Sequence, residues 1–536
     1  MTIVQIPPLA PVYWLLFGAF LILIVSPVAA ARQRHHILVV ISVLAGLSVL
    51  AMAISGRPAD GQDVRVLAEW LGQPALALAS PVGQPLIWML LVWLLAVNLA
   101  WYERADLCPA LEQALLLMMV AAAYGLMLAG SYRTLAFGWL AMQAVAALFF
   151  LARGLSDRMV ARLLLGVVGG AGVMLVTGGR DVTAGSSLYL GSLFSLMVWL
   201  QLGLYPLLES ADVPGTVPAV RLAWTGVNLL IGVYLISTGA ASWIAWPAAV
   251  TSLLHGLLAW LESSRERALA HAGYCLVGGM LITAALGGDS LLVRSGAVSV
   301  LMAFLALSVT PVRLGDGAWP PATSGVSRYA AYLPPLLASL VWLGVPLSPG
   351  WSARISFYQV VWNNGGPVML AVVSVGQGAA LSVLYRYWRL LLQREAAGQP
   401  RAWQLLAAGL AALPWLIPLL AEQVLASVSP TTLASGDMHI GLVEGFSLAG
   451  VWLWLVFLGY GRDWLLSLVA LPRPRLSDWL RAGWLTGKIA QLLDVIGRVV
   501  LRARAVVEGE HYLAWAIILT VCLVLWALTN PFDLQP

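Results

Sequence analysis

Residues 199–239 read WLQLGLYPLLESADVPGTVPAVRLAWTGVNLLIGVYLISTG. Two apolar helical runs meet here at a short polar break, LLESADVPGT, residues 207–216. Pro206 stands near the end of the first run, and Pro214, Gly215 and Pro218 open the second. Proline removes a backbone donor and fixes φ, so it interrupts one helix or starts the next. A pair of membrane-length helices hinged on such a break is the unit to which the rest of the chain conforms.

Working outward, the chain has 536 residues, of which 61% are hydrophobic and 10% charged. Soluble domains carry about 25% charge. With a mean hydropathy of +0.88, nearly the whole chain is therefore suited to lipid. In hydrocarbon only helices and closed barrels satisfy the backbone, and these runs lack the two-residue alternation of barrel strands. The expected fold is all-α and polytopic, with broken helices near runs seven and twelve. Spanning runs fall at about 12–30, 36–55, 84–103, 110–130, 132–153, 159–177, 187–208, 217–238, 243–262, 266–287, 290–312, 328–349, 364–390, 402–426, 443–461 and 511–530. That makes about 16 helices, each near the ~20 residues needed to cross.

The net charge of +5 is nearly all arginine, with Lys488 the single lysine. The loops after odd-numbered runs hold most of it: Arg32 and Arg34, Arg104, Arg153, Arg265 and Arg267, Arg313, Arg386 and Arg389, Arg462. The loop after run seven carries none. Loop arginines mark the cytoplasmic face, so both termini are expected on the non-cytoplasmic side of the cell (inner) membrane. The first run lacks a basic leader and reads as a retained helix. Cys108, Cys275 and Cys522 lie far apart and read as free thiols. Residues 476–506 differ in texture. Apolar positions such as Trp479, Leu480, Trp484 and Leu492 recur at three and four, with Arg481, Lys488 and Arg498 between them. This predicts an amphipathic helix along the cytoplasmic face, or a connector packed on the bundle. The expected organisation is a transmembrane bundle over 1–462, a connector over 463–510, and a final helix and tail over 511–536.

The landmarks of several runs together resemble the proton-antiporter family. That family comprises the large membrane-arm subunits of NADH:quinone oxidoreductase (complex I) and the matching subunits of Mrp antiporters and membrane-bound hydrogenases. Its central pattern is roughly K-x-x-Q-x-P-x-x-x-W-L-P-D-A-x-x-x-P-T-P-V-S-A. Residues 199–239 keep a proline, a displaced Asp212, Gly215-Thr216 and a late proline. The stretch SRERALAHAGYCLVGG, residues 264–279, resembles the family's tenth helix, with His271, Gly273 and Tyr274 in register. GVPLSPGWSARISFY, residues 344–358, resembles the broken twelfth helix.

The resemblance implies a row of titratable groups, and here most positions are replaced. The fifth-helix F-G-W-E-L is Phe137-Gly138-Trp139-Leu140-Ala141, so Leu140 holds the glutamate place. The seventh-helix lysine falls at Gln201 when anchored on Pro206, or at Trp199 when anchored on Gly232 to Tyr234. The eighth-helix position falls at Trp224 or Leu230. On the eleventh helix Gly296 and Val300 stand at both titratable places. On the twelfth, Arg354 takes the lysine place. Guanidinium has a pKa above about 12 and does not release its proton at working pH, whereas lysine can be tuned down by burial.

The remaining candidates for an ion path are His255, His271 and Arg354. Each histidine can titrate near neutral pH; the commoner case is a neutral ring held by a hydrogen bond to a neighbouring helix. Arg221 is placed to pair with Glu209 or Asp212. No CxxC, HExxH, P-loop or GxGxxG before a strand occurs, so no metal or cofactor site is expected; flavin, iron–sulfur and nucleotide sites would lie in partner chains. The leading expectation is an antiporter-like subunit of a larger complex-I-related assembly, with its own relay largely lost and a structural or coupling role. No catalytic site of its own is expected, while the assembly could be a redox-driven proton translocase of which it is a subunit; the expected partners are other antiporter-like and membrane-arm subunits and the lipid bilayer, not nucleic acid. The alternative is an active proton, cation or inorganic-carbon translocator using His255, His271 and Arg354. A lipid or glycan enzyme would need an acidic cluster at the membrane edge and a large polar domain, and neither is seen.

Overall fold

The structure is a computed structural model. It describes residues 9–55, 64–70, 73–79, 85–100, 109–130, 132–154, 166–173, 188–202, 218–238, 240–288, 290–309, 325–345, 348–393 and 442–462, with single positions beyond them. All but Val495 belong to a compact unit, Met1–Arg481; the second unit is Ala482–Pro536. The connector and final helix expected after residue 462 lie almost wholly outside the described residues, as does the run expected over 402–426.

The described helices are α1 (Ala10–Val25), α2 (Ala31–Ser55), α3 (Pro85–Ala100), α4 (Ala110–Met127), α5 (Tyr132–Ala152), α6 (Leu188–Leu202) and α7 (Pro218–Thr238). Then come α8 (Ala245–Leu261), α9 (Arg265–Ala285), α10 (Ser290–Val309), α11 (Gly325–Leu343), α12 (Pro349–Val360), α13 (Gly366–Gln393) and α14 (Leu442–Tyr460). Among the described residues six segments are long and apolar enough to cross a membrane, and five shorter helices are also apolar. The chain is thus a membrane-embedded helical protein, as its composition requires.

One element stands outside the helical expectation. Residues 64–70 (β1) and 73–79 (β2) form an antiparallel hairpin, from Val64 opposite Ala79 to Trp70 opposite Gln73. The sequence VRVLAEW–LG–QPALALA is too short and too interrupted for a span, and the hairpin pairs its own backbone groups instead. Its second strand packs near α5.

Packing is strongest among α8, α9, α13 and α14 on one side, and among α1, α2, α4 and α5 on the other. The helices α3, α7 and α10 join the two groups, each touching the others. Trp93 of α3 stacks on Phe304 of α10 with ring centroids 5.5 Å apart. Lipid offers no hydrophobic drive for helices to associate, so close backbone approach matters more than in water. Among the described glycines the tightest approach to another backbone joins α8 to α13. A Cβ added at Gly256 would lie 2.1 Å from the Gly376 carbonyl oxygen, and one at Gly376 would lie 2.8 Å from the Leu253 Cα.

The break expected near run twelve falls between α11 and α12. Gly344 there has φ +59, a left-handed conformation favouring glycine, and Pro349 occupies the first turn of α12. A π-helical turn, Val361–Gly365, follows α12 and ends at Gly366, whose φ of +81 interrupts the helix before α13. The apolar segment nevertheless runs from Ala353 to Arg389, not from residue 364. The break near run seven, residues 205–217, lies outside the described residues.

Arginines close the helix ends. Arg386 of α13 donates to the carbonyls of Glu262 and Ala259, and Arg462 donates to those of Trp260 and Leu261. Both cover the unpaired carbonyls at the end of α8, where a cation also suits the helix dipole. Arg265 donates to the Leu307 carbonyl at 2.6 Å, and its guanidinium lies over the Tyr387 ring. Three arginines assigned by sequence to one membrane face therefore serve helix termini at one end of the bundle.

Gly256→Val is expected to lower the unfolding temperature of the chain in detergent. Overpacking costs about 1–3 kcal/mol, occasionally more, and here the obstructing atom is backbone. Gly46→Ala, where an added Cβ meets nothing within 4 Å, should leave that temperature unchanged or raise it, since alanine favours helix over glycine by about 1 kcal/mol.

Candidate functional site

Polar side chains are buried between the described helices in several places, His35 of α2 with Asn98 of α3 among them; three groups hold or adjoin the positions singled out from the sequence. The first is made of amides. Gln143 on α5, Gln201 on α6 and Asn228 on α7 are each 2% exposed or less. Gln143 Nε2 donates to Gln201 Oε1 at 2.9 Å, and Gln201 Nε2 donates to Asn228 Oδ1 at 2.6 Å. Gln201 thus bridges three helices. Carboxamides do not titrate in water's pH range, so this group can orient water or hold helices together but cannot carry a net proton.

The second group is a histidine pair. His255 of α8 is 1% exposed and His271 of α9 is half-buried. Their Nδ1 atoms lie 3.0 Å apart. Two N–H groups cannot face one another at that distance, so one Nδ1 donates and the other accepts. In this geometry the pair holds at most one positive charge. The Tyr274 ring stacks on His255, with centroids 5.0 Å apart and planes 16° apart. One turn away on the same interface, Ser252 Oγ donates to the Cys275 carbonyl at 3.0 Å and meets its Sγ at 3.2 Å.

The third group surrounds Arg354 of α12, which is 4% exposed. Its Nη2 donates to the Trp342 carbonyl near the end of α11, and its Nη1 reaches Gln377 Oε1 of α13 at 3.5 Å. Tyr358, one turn along α12, donates its hydroxyl to the same Gln377 oxygen at 2.8 Å.

The sequence-derived positions divide accordingly. His255 and His271 come together, and Arg354 sits in its own cluster. Of the two alternatives for the seventh-helix position, Gln201 lies in the amide bridge. Trp199 instead closes the end of α6, its indole donating to the Leu204 carbonyl at 3.1 Å. Leu140 stays on the apolar side of α5, its branched end 2.9 Å from a Cβ built at Gly170. Gln143, one turn further on, holds the polar place. Val300 is buried and lends its carbonyl to the Trp342 indole at 3.0 Å. Gly296 packs against Ala353 and Met280. Trp224 fills space against Phe149 and Phe150, and Leu230 is fully buried. Glu209, Asp212 and the Arg221 side chain lie outside the described residues.

Sequence reasoning missed Gln143, Asn228, Tyr358 and Gln377. The available signal was a lone amide inside an apolar span, which is costly there unless it has a role. It also missed an ion pair at the bundle's edge, where Arg153 meets Glu112 at the start of α4. Among the described residues no group of three or more metal-ligating side chains occurs.

These features define a class: a membrane-embedded helical bundle with a broken helix and polar groups buried between its spans. The sequence matches no protein-family model and no curated protein. Solved structures do match in fold. A chain of the membrane-bound sulfane sulfur reductase, an archaeal respiratory membrane complex, is 17% identical with a TM-score of 0.61, over 97% of this chain and 99% of that one. A chain of the Mrp complex from Dietzia sp. DQ12-45-1b is 16% identical with a TM-score of 0.62. There the match covers 98% of this chain and 63% of that one, so this chain spans just under two thirds of its length. A chain of respiratory complex I from Thermus thermophilus is 16% identical with a TM-score of 0.54, over 77% and 98%. The antiporter-type architecture expected from the sequence is thus the fold of this chain.

Replacing Gln201 with leucine would strip both Gln143 and Asn228 of a partner. A buried polar group left unmade costs about 1–3 kcal/mol. Gln201→Leu should therefore lower the thermal midpoint followed by tryptophan fluorescence. Adding Gln143→Leu to it should cost less than Gln143→Leu alone, because the two losses share one bond.

Proposed function

We propose that this chain is an antiporter-like subunit of a complex-I-related, multi-subunit membrane assembly, in which its own proton relay is largely lost and its role is structural or coupling. The observation that carries this reading is the amide bridge. Gln201, at the position resembling the relay lysine, spends both ends of its carboxamide on Gln143 and Asn228. Leu140, Gly296 and Val300 put apolar groups at three further relay positions, and Arg354 puts a permanent cation at another. The fold of respiratory and Mrp complex chains supports the assembly context.

A subunit of this kind transmits force or holds register between conducting neighbours. Its interior then needs polar groups that fix helix positions without titrating, which amides do. In the same reading the chain lies in the cell membrane, and its soluble redox or nucleotide chemistry resides in partner chains.

The histidine pair favours a second reading. At 3.0 Å, His255 and His271 can exchange one proton between α8 and α9. An active translocator of protons, cations or inorganic carbon would use that pair together with Arg354.

The two readings separate on one preparation. Purified in mild detergent, the chain should bring down other antiporter-like subunits. The reconstituted assembly should pump protons equally well with His255→Ala or His271→Ala. Loss of pumping in either variant, with the assembly intact, would establish the translocator instead. Purification as a lone chain would remove the assembly reading.

A further inference from the structure

His255 and His271 bring two ligating nitrogens to one point from two helices. Their Nδ1 atoms lie 3.0 Å apart, while the ring centroids are 5.2 Å apart and the planes inclined by 34°. The rings therefore meet through these nitrogens and not face to face. Both stand at one level. His255 is six residues from the end of α8 at Leu261, and His271 six residues from the start of α9 at Arg265. At the rise of a helix, each lies about 9 Å inside the end of the hairpin that residues 262–264 close.

The surroundings hold one ring and leave the other an approach. His255 is 1% exposed, and the Tyr274 ring lies against it with planes 16° apart. His271 is half-buried. One turn deeper, Ser252 ties α8 to Cys275 of α9, so the hairpin does not rest on the histidines alone.

Imidazole nitrogen is a ligand for borderline divalent ions such as Zn2+. A tetrahedral Zn2+ takes each nitrogen at about 2.0–2.1 Å, which sets two of them about 3.4 Å apart. The pair stands within about 0.4 Å of that separation, and a small turn of the His271 ring covers the difference. Only one proton fits between the two nitrogens. An ion takes its place: in the neutral pair the donating ring moves its proton to its own Nε2 through water, and in the charged pair that proton leaves to water. Both Nδ1 lone pairs then face the metal.

We propose that His255 and His271 together bind a divalent transition-metal ion of the Zn2+ class between α8 and α9. Among the described residues no third metal-ligating side chain joins them, so water completes the shell from the His271 side. The site is exchangeable, unlike the closed four-ligand sites of structural zinc. The bound ion clamps the two helices and occupies the lone pair that a proton would otherwise share. No zinc motif announces it in the sequence, because its two ligands stand on different helices, 16 residues apart. The site rests on the geometry of the pair and holds whether the chain is a silent subunit or a translocator.

The test is equilibrium dialysis of radiolabelled Zn2+ against the untagged full chain with its co-purifying partners. The unaltered assembly should bind, saturably, one more ion per copy of this chain than His255→Gln or His271→Gln. His271→Cys, which restores a zinc ligand, should regain it, and Ser252→Ala should leave binding unchanged. A second readout needs no variant: pulsed electron paramagnetic resonance of Cu2+ placed in the unaltered assembly should show the remote nitrogens of two imidazoles on one ion. Absence of saturable Zn2+ binding overturns the proposal, as does equal binding by the unaltered assembly and both glutamine variants. So does a Cu2+ spectrum with fewer than two imidazoles.

Discussion

Inside a bilayer no water is at hand to satisfy a polar group, and every donor or acceptor must find its partner on the protein. The bundle is organised by that requirement. Indole N–H groups tie one helix to the carbonyls of another: Trp260 to Leu458, Trp342 to Val300 and Trp452 to Leu343, each at 3.0–3.1 Å. Arg386 and Arg462 cover the open end of α8. On α2 and α3, His35 meets the Asn98 carbonyl at 2.6 Å while the Asn98 amide reaches Ser42. Where no side chain intervenes, Gly256 and Gly376 let α8 and α13 touch through their backbones.

The amide, histidine and arginine groups of the candidate site differ in what charge each can bear. The amide bridge bears none, the histidine pair at most one, and Arg354 always one. This is an uneven distribution for a chain with the fold of respiratory and Mrp complex subunits. In the reading proposed above, the amides fix α5, α6 and α7 against one another while the charge is concentrated at the break between α11 and α12. That break is also where Gly344 turns the backbone and where Arg354 covers the carbonyl of Trp342.

Much of the fold was legible in the chain because membrane spans are written locally. A run of about 20 apolar residues needs no partner to be recognised. The helices from α1 to α11 and α14 fall within a few residues of the runs that predict them, and the break beside Gly344 follows from its glycine and prolines. The β1–β2 hairpin was not legible, because its pairing rests on contacts between two short segments that neither spells out alone. The π turn between α12 and α13 was also hidden. Asn363, Asn364, Gly365 and Gly366 look like a loop, and Gly366 does interrupt the helix with φ +81, yet Val361–Gly365 keep a helical turn from which Asn364 donates to the Leu286 carbonyl at 2.8 Å.

The site was legible in part. Chain order alone left Gln201 and Trp199 as alternatives, since anchoring on Pro206 gives the first and anchoring on Gly232 to Tyr234 gives the second. Helix rotation separates them, pointing Gln201 to Asn228 and leaving Trp199 to close its own helix end. Likewise, Leu140 marks the expected glutamate position, while the polar group that reaches α6 is Gln143, one turn along. By itself the sequence determined that this chain belongs in lipid as a many-helix bundle, and that one lysine is too few for a lysine relay. Tertiary structure alone decided which polar side chains meet, because residues 16 to 58 apart in the chain, such as His255 with His271 or Gln143 with Gln201, become neighbours only when helices pack and rotate.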